Sequence, residues 1–260
     1  PSEGEYSCLI DRKEYSNRKV FIITPKNVPK SEITILYFHG GSYMAEINDE
    51  HWAFLERVIN DTGATVILPD YPLSPKYNYK DVFNMVEPLY KEIINKVSPE
   101  NLIVMGDSAG GGLSLALVEK ISLDGASYIP SKTILISPWL DVRLNNPKID
   151  DIQKKDKKLN KDALKLAGIA YANPDGIDSY LVNPIDGNLE NLKNVTIFTG
   201  TYDILNPDVH VLDEKAKKQG TKIDIREYDK ASHIWILSKS NSEKDLKENA
   251  YKDLINVIKE

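Results

Sequence analysis

Short apolar runs rich in β-branched residues alternate along the chain with longer amphipathic stretches. Most of the apolar runs are nearly continuous, as is typical of strands covered on both faces, and the longer stretches have helical spacing. The pattern predicts strands at 20–24, 33–38, 65–68, 102–105, 133–136, 195–199 and 222–228, and helices at 50–60, 80–96, 111–121, 208–219 and 244–258. This alternation requires right-handed crossovers and a mainly parallel sheet with helices on both faces, so the predicted fold class is α/β.

The length and composition are those of one soluble domain. A chain of 260 residues with 41% hydrophobic and 28% charged side chains can bury a sizeable core, so we expect one domain over 1–260. Cys8 is the only cysteine, which excludes an intrachain disulfide and leaves too few thiols for a zinc site. The net charge of −6 argues against nucleic acid or an anionic membrane as a partner. The sequence has neither an apolar run of membrane-spanning length nor a signal-peptide pattern, so we expect a cytoplasmic location.

Residues 145–183 interrupt the alternation. They lie between two predicted core strands and contain a charge run at 154–158 (Lys-Lys-Asp-Lys-Lys), a helical stretch at 162–171, and Pro174. Interspersed Lys and Asp are typical of a solvated face, so we interpret the run as surface rather than as a nucleic-acid site. The segment is long enough to cover a site, and we predict that it is a lid or cap inserted into the domain.

A Gly-Asp-Ser-Ala-Gly pentapeptide at 106–110 stands between a predicted buried strand and a glycine-rich helix start. This is the setting that a Gly-x-Ser-x-Gly nucleophile turn requires, because the turn is so tight that the flanking positions must lack side chains. The hydroxyl of Ser108 is then presented at a helix N-terminus, where developing negative charge is favoured. A packing turn or a phosphate loop is the alternative, but a phosphate loop has a Lys after its glycines, and Leu113 stands here.

A second glycine turn follows the second predicted strand, with the sequence His39, Gly40, Gly41, Ser42. Glycines directly after a strand let backbone N–H groups approach a ligand closely, which is needed where a carbonyl oxygen becomes an oxyanion. We expect an oxyanion hole formed by the N–H groups of Gly40, Gly41 and Ser42 together with that of Ala109. His39 itself is expected to be a structural histidine bonded to the loop backbone.

The general base must be one of four histidines. In serine hydrolases with this kind of turn the acid and then the base follow the nucleophile along the chain, which leaves His210 and His233. His233 lies in the loop after the strand at 222–228, at the carboxyl edge of the sheet, and is the candidate base. His210 is interpreted as a surface histidine on a predicted helix.

Two aspartates compete for the role of the acid. Asp203 follows the strand at 195–199, one crossover before His233, and Asp141 follows the preceding strand by a similar margin. We favour Asp203 and keep Asp141 as the alternative. Asp208 is expected to cap the helix that starts there.

Together these blocks resemble the hormone-sensitive-lipase-like group of α/β-hydrolase esterases. The resemblance is carried, in family order, by His-Gly-Gly at 39–41, Asp-Tyr-Pro-Leu-Ser-Pro at 70–75 with Asp81, Gly-Asp-Ser-Ala-Gly-Gly at 106–111, Ser-Pro-Trp-Leu-Asp at 137–141, Asp-Ile-Leu-Asn-Pro-Asp at 203–208, and His233. It implies an α/β-hydrolase fold and hydrolysis of carboxylic esters with short to medium acyl chains, without a metal or an organic cofactor. It also assigns Ser108, Asp203 and His233 to a catalytic triad, Asp141 to a structural role, and 145–183 to the lid region.

Two features depart from the family that the chain resembles. The family's loop is commonly His-Gly-Gly-Gly, whereas Ser42 stands at the fourth position, and its side chain is expected to narrow substrate choice. Relatives usually begin with a further helical cap segment, but few residues precede Val20 here, so the pocket is expected to be more open.

We therefore predict a serine carboxylesterase that acts on a small-molecule ester through an acyl-enzyme, with activity rising through about pH 6–7 as the histidine loses its proton. The alternative function is that of an amidase, formamidase or peptidase, because the same triad serves these reactions and the sequence does not define the leaving-group pocket. A non-catalytic binding module is disfavoured by the joint presence of Ser, Asp, His and the glycine loop. The charged stretch at 148–165 disfavours a membrane-surface lipase. The sequence is compatible with a monomer and with a homo-oligomer.

Overall fold

Eight strands form one sheet in the computed structural model, which describes residues 6–173 and 175–260. They are β1 (Cys8–Tyr15), β2 (Arg18–Pro25), β3 (Thr34–Phe38), β4 (Thr65–Pro69), β5 (Leu102–Asp107), β6 (Lys132–Ile136), β7 (Val195–Gly200) and β8 (Ile223–Tyr228). Their order in the sheet is β1-β2-β4-β3-β5-β6-β7-β8, with β1–β2 and β2–β4 antiparallel and the other pairs parallel. The predicted α/β class with a mainly parallel sheet is confirmed. Residues 1–5 and Pro174, which belong to the predicted domain and lid, lie outside the described residues.

The helices of the described residues are α1 (Asp49–Thr62), α2 (Tyr79–Ile94), α3 (Ala109–Ser122), α4 (Ile149–Gln153), α5 (Lys161–Ala172), α6 (Asn206–Lys218) and α7 (Lys244–Lys259). Local chemistry sets several of their ends. Asn48 accepts hydrogen bonds from the first turn of α1, and Gly63 caps its C-terminal end with a φ of 70°, which a glycine adopts without strain. None of these helices combines the length and the apolar character that crossing a membrane requires.

The sequence pattern missed β1, and the structure gives the reason. Most side chains of β1 are exposed or partly exposed, and only Cys8 is buried, so the strand has no apolar face to produce a pattern. It is held by backbone pairing with β2 along its whole length. Ser16 and Asn17 join the two strands with φ values of 50° and 59°, as in a two-residue hairpin turn. The short helix α4 was missed as well.

Side chains alternate between the two faces of the sheet and build a core on each. Leu36 and Val104 belong to the cluster that packs beneath α2, α3 and α6, whereas Ile35 and Ile103 belong to the cluster beneath α1 and α7. Because β3, β5, β6, β7 and β8 are parallel, their carboxyl ends meet at one edge of the sheet. The loops that follow these five strands therefore share one side of the molecule.

The insertion, residues 145–183, lies between β6 and β7 and contains α4 and α5. The phenol ring of Tyr171 in α5 stacks on that of Tyr43, with centroids 3.5 Å apart and planes 4° apart. Tyr43 directly follows the glycine turn after β3, so the insertion contacts the edge of the sheet where the loops meet.

Candidate active site

The turn between β5 and α3 holds Ser108 in a strained backbone conformation, with φ 52° and ψ −121°. The turn is also pressed against the end of β3. A Cβ on Gly110 would lie 2.0 Å from the carbonyl oxygen of Phe38, and a Cβ on Gly106 would lie 2.4 Å from the carbonyl oxygen of Gly110. Both positions therefore require glycine, and the turn presents Ser108 at the N-terminus of α3, where backbone N–H groups lack partners within the helix.

The structure brings together the three residues that the sequence singled out. The Oγ of Ser108 lies 2.9 Å from Nε2 of His233, and Nδ1 of His233 lies 2.8 Å from Oδ2 of Asp203. All three residues are buried. Since an ionised carboxylate only accepts hydrogen bonds, Nδ1 carries the proton, and Nε2 is free to accept the proton of the serine hydroxyl.

Neighbouring backbone groups fix the two downstream members of this chain of hydrogen bonds. The second oxygen of Asp203, Oδ1, accepts a hydrogen bond of 2.9 Å from the N–H of Leu205. The N–H of Ile234, next to His233, donates to Oγ of Ser137 over 3.0 Å. Ser137 follows β6, so the loops after β6, β7 and β8 are joined directly at the site.

The glycine turn after β3 has an unusual backbone, with φ of 120° at Gly41, 55° at Ser42 and 60° at Tyr43. Within the described residues, the N–H groups of Gly41 and Ser42 meet no protein acceptor. Gly40 differs, because its N–H donates to Oδ1 of Asp107 over 3.0 Å. The expectation that Gly40 offers a free N–H donor was therefore wrong. Its hydrogen bond to Asp107 ties the start of the glycine turn to the turn that carries Ser108, and the N–H groups of Gly41 and Ser42 are available to a ligand.

Asp107 is the buried centre of this anchor. Its carboxylate accepts a hydrogen bond of 2.6 Å from Tyr37 in addition to that from Gly40, and Nε2 of His51 lies 3.4 Å from both oxygens. Nδ1 of His51 accepts the N–H of Asn48, which directs the proton of Nε2 toward Asp107. Burial alone would raise the pKa of Asp107, but His51 and the hydrogen bonds from Tyr37 and Gly40 hold it below its ordinary value. The sequence excluded His51 as a base and had no signal for this partnership, which depends on a contact over 56 residues.

Replacing Asp107 by alanine should lower the free energy of unfolding by about 3 kcal/mol or more, because three buried donors lose their acceptor. Asp107→Asn is the matched control, since the amide oxygen can still accept from Tyr37 and Gly40, and its loss should be clearly smaller. Because the pKa of Asp107 is lowered in the folded state, its stabilisation is present above about pH 4 and is lost on further acidification. Urea denaturation at neutral pH measures the difference, and equal stabilities of the alanine variant and the wild type would contradict it.

His39 plays the structural role expected from the sequence. Its Nδ1 lies 2.7 Å from the carbonyl oxygen of Gly40, and its ring stacks on Tyr71 at 4.4 Å. The hydroxyl of Tyr71 donates to the carbonyl oxygen of His39. Burial lowers the pKa of His39 to about 4, so the ring is neutral at physiological pH and serves as a packing and hydrogen-bonding element of the loop.

The rejected candidates lie in other surroundings. His210 is exposed and pairs with Glu227 at 2.7 Å, as expected of a surface histidine. Asp141 binds Arg143, whose Nε lies 2.7 Å from its carboxylate. Asp208 does not cap α6, contrary to expectation, because the helix begins two residues earlier. It lies buried in the first turn, where Oδ1 accepts from Asn146 over 2.9 Å and Oδ2 has no hydrogen-bond partner among the residues that the structure describes.

Asp208→Asn should stabilise the protein at alkaline pH. Burial raises the pKa of Asp208 to about 6, so between about pH 4 and 6 the folded state binds more protons than the unfolded chain, and stability falls as the pH rises. An asparagine keeps the acceptor for Asn146 and never ionises. We expect a gain of about 2–3 kcal/mol at about pH 8 that disappears near about pH 4. Chemical denaturation at both pH values, with the exposed Glu214→Gln as a control, tests this; a gain that does not change with pH would contradict it.

Comparison with known proteins places this geometry in a family. Residues 35–237 match the model of a protein family that is described as having the alpha/beta hydrolase fold. The chain belongs to the α/β-hydrolase family. An esterase from Acinetobacter venetianus is 30% identical over 197 residues, which are 75% of this chain and 64% of that protein. The chain thus spans less than two thirds of the length of this α/β-hydrolase relative.

Solved structures of α/β-hydrolases agree with the fold. A crystal structure of a candidate esterase from Staphylococcus aureus is 27% identical and superposes with a TM-score of 0.87, covering 97% of this chain and 85% of that one. A crystal structure described as an esterase of the bacterial hormone-sensitive lipase family has a TM-score of 0.88 at 20% identity, covers 100% of this chain and 86% of that one, and shows the same fold. The resemblance to the hormone-sensitive-lipase-like group of α/β-hydrolases is confirmed by the family match and by the Acinetobacter relative.

Proposed function

We propose that the protein is a serine carboxylesterase that hydrolyses small-molecule esters through an acyl-enzyme formed on Ser108. The observation that carries the proposal is the continuous chain of hydrogen bonds from Ser108 through His233 to Asp203, with distances of 2.9 and 2.8 Å, at the N-terminus of α3. A buried serine with a histidine and an oriented carboxylate in line is the arrangement that activates a hydroxyl for attack on an acyl carbon.

In the first half of the reaction, Oγ of Ser108 attacks the ester carbonyl while Nε2 of His233 takes its proton. Asp203 keeps the imidazole in the required tautomer and stabilises the imidazolium. The oxyanion that forms is held by the N–H groups of Gly41, Ser42 and Ala109; each such donor typically lowers the barrier by about 3–4 kcal/mol. The bond to the alcohol oxygen then breaks, and His233 protonates the departing alcohol.

In the second half, water takes the place of the alcohol. His233 removes a proton from this water as it attacks the acyl carbon, and the resulting oxyanion is held by the same N–H groups. The bond to Oγ breaks, Ser108 regains its proton from His233, and the carboxylic acid leaves. Each proton moves through Nε2 of His233, so neither half of the reaction calls for a cofactor.

We further propose that the insertion covers the site and limits the acyl chain to short or medium length. Its support is the aromatic packing behind the glycine turn. Tyr43, the residue after Ser42, stacks on Tyr171 of the insertion and on Trp139. The backbone N–H of Trp139 donates to the carbonyl oxygen of Ser108 over 2.9 Å. Three large rings thus occupy the space next to the nucleophile turn.

A panel of p-nitrophenyl esters of increasing acyl length, run beside the matching p-nitroanilides, tests the proposed function. We expect the esters to be hydrolysed much faster than the anilides, with a maximum of kcat/KM at short or medium chains. Faster turnover of the anilides would make the protein an amidase. Turnover of neither substrate, in a protein shown to be folded, would favour a binding module, and a jump in rate at an emulsion surface would favour a lipase.

A further inference from the structure

The charge run of the insertion reaches both downstream members of the Ser108–His233–Asp203 chain. Asp156 is buried, and its Oδ2 accepts a hydrogen bond of 2.9 Å from the N–H of Ile204, the residue after Asp203. Nζ of Lys158 donates to the carbonyl oxygen of His233 over 2.8 Å. The interpretation of 154–158 as a solvated face was therefore wrong for Asp156, whereas Lys158 is exposed as expected and also binds the His233 loop.

The loop that carries these two side chains, residues 154–160, is itself held in shape. The other oxygen of Asp156, Oδ1, accepts the N–H groups of Lys158 and Leu159 at 2.8 and 2.9 Å. The amide of Gln153 spans the loop, donating to the carbonyl oxygen of Leu159 and accepting the N–H of Lys161. The carboxylate of Asp156 thus meets three backbone donors, which fixes the loop before it contacts the site.

We propose that Asp156 and Lys158 are positioning residues of the esterase reaction, which hold the loops of Asp203 and His233 at the separation that their hydrogen bond requires. This inference depends on the proposed function. β8, which precedes the His233 loop, is the last strand at one edge of the sheet that the described residues form, and no further strand of that sheet supports the loop from that side. The loop at 154–160 contacts the His233 loop through Lys158 and contacts the Asp203 loop through Asp156.

The other lysines of the run do not share this arrangement. Lys154 is exposed and lies 3.6 Å from Asp151 one turn earlier in the chain, and Lys157 makes no hydrogen bond or ion pair with the described residues. Lys155 lies over the ring of Tyr202 at 5.5 Å, which adds a weaker contact to the Asp203 loop. The direct hydrogen bonds to the two loops come from Asp156 and Lys158, and Lys157 offers a matched control in the same turn.

The test compares Asp156→Asn and Lys158→Met with Lys157→Met. An asparagine has one acceptor oxygen where Asp156 uses two, so it must lose either the bond to Ile204 or the bonds within its own loop. Methionine keeps the stem of Lys158 without its donor. Stoichiometric titration with a fluorophosphonate counts reactive serines, and steady-state kinetics with a p-nitrophenyl ester gives kcat and KM. We expect kcat to fall about 10- to 100-fold in both variants at nearly unchanged KM and full titration, no effect of Lys157→Met, and substantial recovery in Lys158→Arg.

The titration and the kinetics also define the results that would contradict the proposal. A lower number of titratable serines with unchanged kcat per serine would mean that the two residues serve folding only, and kcat equal to wild type would also overturn the proposal. Because the side chain of Lys158 is largely exposed, its variant should fold even if Asp156→Asn does not. If the wild-type protein neither hydrolysed the ester nor reacted with the fluorophosphonate, the proposed esterase function itself would be contradicted. Proton NMR of the hydrogen between His233 and Asp203 separates the two failures, since its signal should change in both variants if their loops move.

Discussion

Replacement of Ser108 by alanine should lower kcat for ester hydrolysis by about 10⁶-fold while leaving substrate binding nearly unchanged. The hydroxyl is the protein group that forms a bond to the acyl carbon in the proposed mechanism, so its loss removes the acyl-enzyme route. The remaining rate should come from the N–H groups of the glycine turn and from binding, which still accelerate attack by water.

Ser122→Ala is the matched control, because Ser122 lies on the same helix and its Oγ donates to the carbonyl oxygen of Glu119, near the far end of α3. Its kcat should equal that of the wild type. Contamination by another esterase is excluded by repurification and mass spectrometry of the variant. If Ser108→Ala then kept more than about one hundredth of the wild-type rate, the assignment of the nucleophile would be contradicted.

Replacement of Asp203 by asparagine should lower kcat by about 10⁴-fold. The amide places an N–H₂ group or a weaker acceptor against Nδ1 of His233, and in the first case the imidazole takes the tautomer whose Nε2 is protonated. Such an imidazole cannot accept the proton of Ser108. The folded structure should persist, because the amide oxygen can still accept the N–H of Leu205.

Asp141→Asn provides the comparison, since Asp141 was the competing acid. It should change kcat by no more than a few-fold and should instead weaken the ion pair with Arg143. Thermal denaturation of both variants separates lost chemistry from lost folding. If Asp141→Asn proved the more damaging to kcat with its fold intact, the assignment of the acid would have to be exchanged.

Much of the candidate site could be predicted because its parts follow strand ends. Ser108, Asp203 and His233 each lie in the turn or loop that follows a predicted strand, and the ends of parallel strands share one edge of the sheet. Their order along the chain excluded His39 and His51, and the place of His233 after the predicted strand at 222–228 separated it from His210, which lies on a predicted helix. Strand β1 could not be predicted in the same way, because its side chains are largely exposed and only backbone hydrogen bonds to β2 define it.

The errors concern groups whose state depends on distant neighbours. Gly40 was expected to offer a free N–H, but Asp107, 67 residues further on, accepts it. Asp156 was interpreted as solvated within a charge run, yet a backbone N–H near Asp203 binds it over a separation of 48 residues. Hydrogen bonds of this kind leave no periodicity in the chain, so no local pattern could have indicated them.

The sequence by itself determined the α/β class, the turn that carries Ser108, and the residues available to serve it, because hydrophobic period and glycine spacing act over a few neighbouring residues. Only the tertiary structure decided which N–H groups of the glycine turn are free, that His51 supports Asp107, and that the insertion contacts the loops of Asp203 and His233. These depend on which backbone and side-chain atoms come within hydrogen-bonding distance once the strands are ordered in the sheet. That ordering is a property of the whole packed core.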